Sequence, residues 1–312
     1  MVRTVVAGLD GSPESRAAVD WAAREARMRD VPLRILHVHE PTPPRLAQAP
    51  FLAEETRQDW GREVPPRVAD EVRREQPGLR VTVEGAEGHA PVVLLGRTGP
   101  DGLLVLGSRA LGGIAGFLAG SVGLNVVAHT EHPVVLVRAG ESAADEHLAD
   151  PADGAGTDGG RTDGAGTDGT PYRPVVVGVD PEGTDDSVLA FAFEAAARRM
   201  AALRVLQGYS LPAFYEWAGS VEGEALGEMD RQQAELLEQK LVPWRARHPG
   251  VEVHQESQRG NASVLLAEAS RNASLLVIGH RIRKHSLGLR VGPVAHAVIH
   301  HAAAPVAVVP HQ

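Results

Sequence analysis

The stretch TVVAGLDGSPES (4–15) is a short apolar run that ends in Gly8 and Asp10 and passes into an Ala-rich segment, and it recurs as VVVGVDPEGTDDS at 175–187. An apolar run closed by Gly and Asp and followed by residues of helical period is the signature of a βα unit on a parallel sheet. The recurrence places Asp10 opposite Asp180 at an offset of 170, and LRILHVHEP (33–41) matches LRVLQGYSLP (203–212) at the same offset. Further on, DGLLVLGSR (101–109) matches ASLLVIGHR (273–281), and HTEHPVVLVR (129–138) matches HHAAAPVAVVP (300–310), both at an offset of 172. Four matches in one order, slipping by only two residues, identify a duplicated domain.

The duplication gives domains over 1–138 and 171–312. Within the first copy the pattern predicts strands near 3–9, 33–39, 80–84, 102–107 and 133–138, and helices near 13–30, 52–75, 89–98 and 120–130. Pro65 and Pro66 stand inside the second helix and are expected to break it in two. Each copy reads as an open, doubly wound, five-stranded parallel sheet with helices on both faces. The segment between the copies, AGESAADEHLADPADGAGTDGGRTDGAGTDGT (139–170), is rich in Gly, Asp, Thr and Ala and offers little to bury, so a flexible linker is expected there. The last strand of each copy, PVVLV and PVAVV, is apolar and lies at a sheet edge, so it needs covering. Pairing of the two copies through these edges is the expected covering, with a homodimer as a further step.

The 312 residues suit two domains rather than one. Apolar residues at 43% and charged residues at 23% are ordinary, while aromatics at 4% are few, which fits buried parallel strands packed by Ala-rich helices. With 31 basic against 40 acidic residues the net charge is -9, which opposes nucleic-acid binding. The absence of cysteine removes disulfides, zinc thiolate sites and thiol catalysis. Met1 runs directly into an apolar strand, and no apolar run nears the roughly 20 residues that span a bilayer, so a cytoplasmic protein without membrane association is expected.

In a doubly wound sheet, ligands bind beyond the carboxyl ends of the strands, where topology switches. Asp10, the HVH of 37–39 and Gly107 all converge on that edge. The stretch GSRALGGIAGFLAGSV (107–122) follows the fourth strand, with Gly107, Gly112, Gly113 and Gly116 preceding a Gly-Ser pair at the start of an apolar-periodic helix. Open backbone N–H groups, a helix N-terminus and the Ser121 hydroxyl make an anion site, to which Arg109 adds a fork of donors. No Lys follows the final glycine, so this is no Walker A loop, and the glycines follow the fourth strand rather than the first, so it is no dinucleotide fingerprint. On glycine count alone, a tight loop and a helix cap account for the pattern equally well.

The spacing Gly107, Ala110, Gly120, Ser121 resembles the G-2x-G-9x-G(S/T) phosphate motif of the ATP-binding universal stress protein family. VVAGLDGSPES, LHV and HPVVLV are similar to that family's first, second and last strands, and the resemblance covers all but the linker. It implies ATP, with Mg²⁺, as the ligand. Asp10 and the backbone of Val38 would face adenine and ribose with Gly8 beneath them, while Gly107, Ser108, Arg109, Gly120 and Ser121 would hold the phosphates, and Gly113 and Val122 would also belong to the nucleotide site. Ala110 replaces the motif's second glycine, which costs about 1–2 kcal/mol if that position needs positive φ. In the second copy Gly178, Asp180, Gly279 and Gly292 keep their places, but Ile282 and Pro293 replace the Gly and Ser. Each lost hydrogen bond to a charged group is worth about 1.5–3 kcal/mol, so the second site is expected to be weaker or altered, with Arg281, Arg283, Lys284 and His285 offering charge instead.

The function so implied is that of a nucleotide-dependent sensor or regulator in stress or dormancy physiology. A slow ATPase using the same pocket, and an interaction module of the same fold that has lost its nucleotide, stay open beside it. Asp10 has no catalytic companion at an arguable spacing, so binding is better supported than turnover. His296 and His300, four apart on a helix, lack the acidic residue of a HExxH pattern, and a metal site there is not expected.

Overall fold

A computed structural model describes residues 2–40, 54–108, 121–148, 169–210, 223–282 and 291–312. The chain divides into two compact units, the first built on Met1–Glu141 and the second on Ser142–Arg281 and Gly292–Gln312.

The first unit runs β1 (Thr4–Gly8), α1 (Pro13–Arg29), β2 (Leu33–His39), α2 (Glu54–Glu75), β3 (Val81–Glu87), α3 (Ala90–Thr98), β4 (Gly102–Ser108), α4 (Ser121–His129) and β5 (Val134–Arg138). Its strands pair in the order β3-β2-β1-β4-β5, all parallel. Val5, Val6, Ile35, Leu103 and Val105 are fully buried, as central strands covered on both faces require. Chain direction along the sheet reverses between β1 and β4, which opens a crevice at their carboxyl ends.

The second unit begins with α5 (Ala143–Glu146) and continues with β6 (Val175–Gly178), α6 (Asp186–Arg199), β7 (Leu203–Tyr209), α7 (Gly223–Arg247), β8 (Val253–Arg259), α8 (Ala262–Ala269), β9 (Leu275–Arg281), α9 (Pro293–His301) and β10 (Val306–His311). Its strands pair in the order β10-β9-β6-β7-β8, again parallel. The two registers agree residue for residue. Val5 stands beside Leu33 and Leu103, and Val175 stands beside Leu203 and Leu275. The slip from 170 to 172 therefore falls between the second and third strands of the repeat, because Leu33 pairs with Val81 and Leu203 with Val253.

Three expectations change. α2 is continuous through Pro65 and Pro66. A helical proline costs about 3 kcal/mol, but Pro65 is buried along the same helix as Val68, Ala69 and Val72, and burying such side chains returns about 1.5–3 kcal/mol each. β3 extends to Glu87, since it pairs with β2 as far as His39 and Gly85 faces open space. The opening part of the expected linker is ordered: Ser142 caps α5 in a reciprocal box with Asp145, and His147 is buried against the Tyr172 ring at 3.9 Å. Leu148 N–H donates to Pro171 O at 2.9 Å, and Arg173 N–H to Glu146 O at 2.9 Å, so this segment forms a short antiparallel bridge. Its few apolar and aromatic groups find partners that composition does not reveal. The GAGTDG repeats at 154 and 164 lie outside the described residues.

Candidate functional site

β1 ends at Gly8, and the chain then turns sharply through Asp10 and Gly11 into α1. Gly11 has φ +86°, a conformation that strains any residue with a Cβ. Ser12 caps α1 by accepting from Ser15 N–H at 3.1 Å, with Pro13 at the first helical position. Asp10 accepts from Ser12 N–H at 3.0 Å and from Ser12 Oγ–H at 2.6 Å, and its own N–H donates to Ser15 Oγ at 3.3 Å. Its carboxylate is exposed and held at the mouth of the crevice.

That crevice contains a cavity of about 180 Å³ whose walls include Gly8, Asp10, Val38, Gly107 and Val122, five of the residues singled out in the first copy. Leu36, Leu94 and Leu106 make its apolar floor, while Ser12, Glu14 and Ser15 bring the first turn of α1 to its rim. At Gly8 a Cβ would lie 2.7 Å from Leu106 Cδ2, so a side chain there would have to displace the tip of Leu106 on the cavity floor. Gly107 admits no side chain. A Cβ on it would lie 2.5 Å from the carbonyl carbon of Glu14 and 2.6 Å from Ser15 N, so β4 and the N-terminal turn of α1 touch backbone to backbone. Ala90, at the start of α3, also lines the cavity, and its N–H donates to Glu40 Oε1 at 2.7 Å.

Ser108 is buried on β4 and does not line the cavity. Arg109, Gly113 and Gly120 lie outside the described residues, as do Gly112, Gly116 and Ala110. Ser121 begins α4. Glu14 and Ser15 were not singled out from the sequence. The signal for them was the Ser-Pro-Glu-Ser start of α1, whose placement at the rim depends on the contact at Gly107.

In the second unit Gly178 ends β6, and a Cβ there would lie 2.8 Å from Leu266 Cδ1. Asp180 turns into its own loop, accepting from Glu182 N–H at 3.2 Å, and α6 starts at Asp186 under an Asp185 cap. Gly279 sits on β9 with the His311 ring 3.0 Å from where its Cβ would be. Gly292 caps α9 without a side-chain bond and faces open space, and Pro293 follows it. His280, the counterpart of Ser108, is buried, and desolvation assisted by the charge of His311 holds its pKa below the usual imidazole value. Arg283, Lys284 and His285 lie outside the described residues. His296 and His300 face each other with their Nε2 atoms 3.3 Å apart, and no cluster of three or more metal-ligating side chains occurs among the described residues.

These features define a class: a doubly wound parallel α/β domain, present twice, with a crevice at the switch point of the first copy. The universal stress protein family model matches residues 1–138 and 171–310, and the chain belongs to that family. A universal stress protein of Mycolicibacterium smegmatis is 27% identical over 98% of this chain and 96% of its own. One of Mycobacterium tuberculosis is 30% identical over 97% and 95%. The crystal structure of a universal stress protein from Archaeoglobus fulgidus has the same fold, with a TM-score of 0.67 and 17% identity over 99% of this chain and 98% of that one. No helix among the described residues is long and apolar enough to cross a membrane.

Proposed function

We propose that the chain binds ATP, with Mg²⁺, in its first copy and acts as a nucleotide-dependent sensor or regulator in stress or dormancy physiology. The observation that carries this reading is the cavity at the β1/β4 switch point, where Gly8, Asp10, Val38, Gly107 and Val122 come together. Its floor is apolar, as a base requires, and its rim carries a carboxylate and hydroxyls, as a ribose requires. At about 180 Å³ it is smaller than the roughly 300 Å³ at which ligand pockets usually begin, so it suits the base and sugar end of the ligand. The phosphates belong with residues 109–121, which follow β4 into α4. With Asp10 at the ribose, Glu14 is the second carboxylate at the rim and would face a phosphate-bound Mg²⁺. Self-association into a homodimer belongs to the same proposal and is read by sedimentation equilibrium.

Thermal unfolding with and without ATP and Mg²⁺ tests the reading. A ligand at a thousand times its dissociation constant stabilises by about 4 kcal/mol, and Asp10→Ala should remove that shift while Asp180→Ala leaves it. No shift in the wild type would leave a nucleotide-free interaction module as the better account. A single-turnover assay with labelled ATP separates sensor from ATPase, since a sensor returns the nucleotide intact.

A further inference from the structure

We infer that the second copy admits no nucleobase, because Gly208 lets α8 lie directly on the strand end where the first copy keeps its cavity. The inference rests on the nucleotide reading of the first copy. It also adds to the loss at Pro293, which concerns phosphates alone.

Val38, at the end of β2, and Ala90, at the start of α3, both line the first cavity. Their counterparts, at offsets of 170 and 172, are Gly208 and Ala262. A Cβ on Gly208 would lie 2.6 Å from Ala262 Cα, 2.9 Å from its Cβ and 3.0 Å from its N, so only glycine fits beneath the first residue of α8. A planar base between strand and helix needs about 3.5–4 Å on each face, a gap of about 7 Å. Here strand and helix are already in contact.

A second pair of positions is also packed more closely in the second copy. Leu266 sets three atoms at 2.8, 3.2 and 3.6 Å from a Cβ on Gly178, whereas its counterpart Leu94 brings one atom to 3.4 Å from a Cβ on Gly8. The helix caps differ too. The N-terminus of α3 is held by Glu40, reaching from the end of β2 to the Ala90 N–H. Ser210 occupies the place of Glu40 in the second copy, and α8 is capped from within by Asn261, which accepts from Ser263 N–H at 2.9 Å. The outside anchor on α3 therefore has no counterpart on α8, which rests against a glycine.

The turn from first strand to first helix differs as well. Pro181 stands where Gly11 has φ +86°, and a proline ring fixes φ near about −65°, so the second loop turns differently. Gly183 and Thr184 N–H both donate to Asp180 O, at 3.2 and 2.8 Å, and α6 begins at Asp186, where the counterpart of α1's start would be Gly183. The turn that brings Glu14 and Ser15 to the first rim has no helical equivalent.

Native mass spectrometry of the full chain with saturating ATP and Mg²⁺ should count one nucleotide per chain, and an azido-ATP photolabel should map to peptides of residues 1–141. Pro293→Ser should still bind one. Two nucleotides on the wild type, or a label in 171–312, overturn the inference while leaving the first-copy reading intact. A rise to two in Pro293→Ser overturns the assignment to Gly208, because the phosphate side alone would then have been limiting. Zero nucleotides on the wild type overturns the first-copy reading and so removes the ground on which this inference rests.

Discussion

A methyl group added at Gly107 would meet the backbone of Glu14 and Ser15, which cannot rotate away as a side-chain tip can. Gly107→Ala should therefore push α1's first turn off β4 at a cost of about 1–3 kcal/mol, measured by urea unfolding, and weaken ATP binding with it. Gly292, the second copy's counterpart of Gly120, faces open space, and Gly292→Ala should change stability by less than about 0.5 kcal/mol. His280 supplies a pH dependence. Its folded pKa is depressed by burial, so the neutral ring contributes stability that is fully present above the unfolded value of about 6.5 and is lost as pH falls through the folded one. Unfolding free energy should decline by up to about 1.4 kcal/mol per pH unit as pH falls from the unfolded value to the folded one, and His280→Ser should flatten this part of the profile whatever it does to stability at neutral pH.

Among the elements, the turn from first strand to first helix separates the copies most clearly. Gly11→Ala places a Cβ at φ +86° and should cost about 1–2 kcal/mol, read as a lower unfolding midpoint. The apolar runs and Ala-rich helical periods made β1, α1, β2 and β4 legible in the sequence, because their periodicity is written locally. α2 was misread at Pro65 because the compensation comes from burial against the rest of the unit, which no local rule contains. The order in 142–148 was hidden in the same way, since the partner of His147 is Tyr172, across the linker. Of the site, Gly8, Asp10, Val38, Gly107 and Val122 were legible and do meet around one cavity. Glu14 and Ser15 were not, nor was the closure at Gly208, for a glycine on a strand does not say what will approach it.

At the scale of the whole chain, the two units share one strand order and one register around different crevices. Hydrogen exchange followed with and without ATP should slow the amides of Leu9–Ser15 and the end of β2, while the equivalent amides after β6 and β7 keep their rates. Equal slowing in both would show that occupancy of the first crevice is transmitted to the second unit or that the second is itself occupied.

The agreement in register has a practical consequence. Val5 and Val175, or Leu33 and Leu203, are paired observations made in one molecule, at one concentration, in one solvent and at one temperature. Any additive, tag or change of buffer that acts on the fold in general moves both members of a pair. A specific effector moves one, so the chain carries its own internal standard for discovering what it responds to.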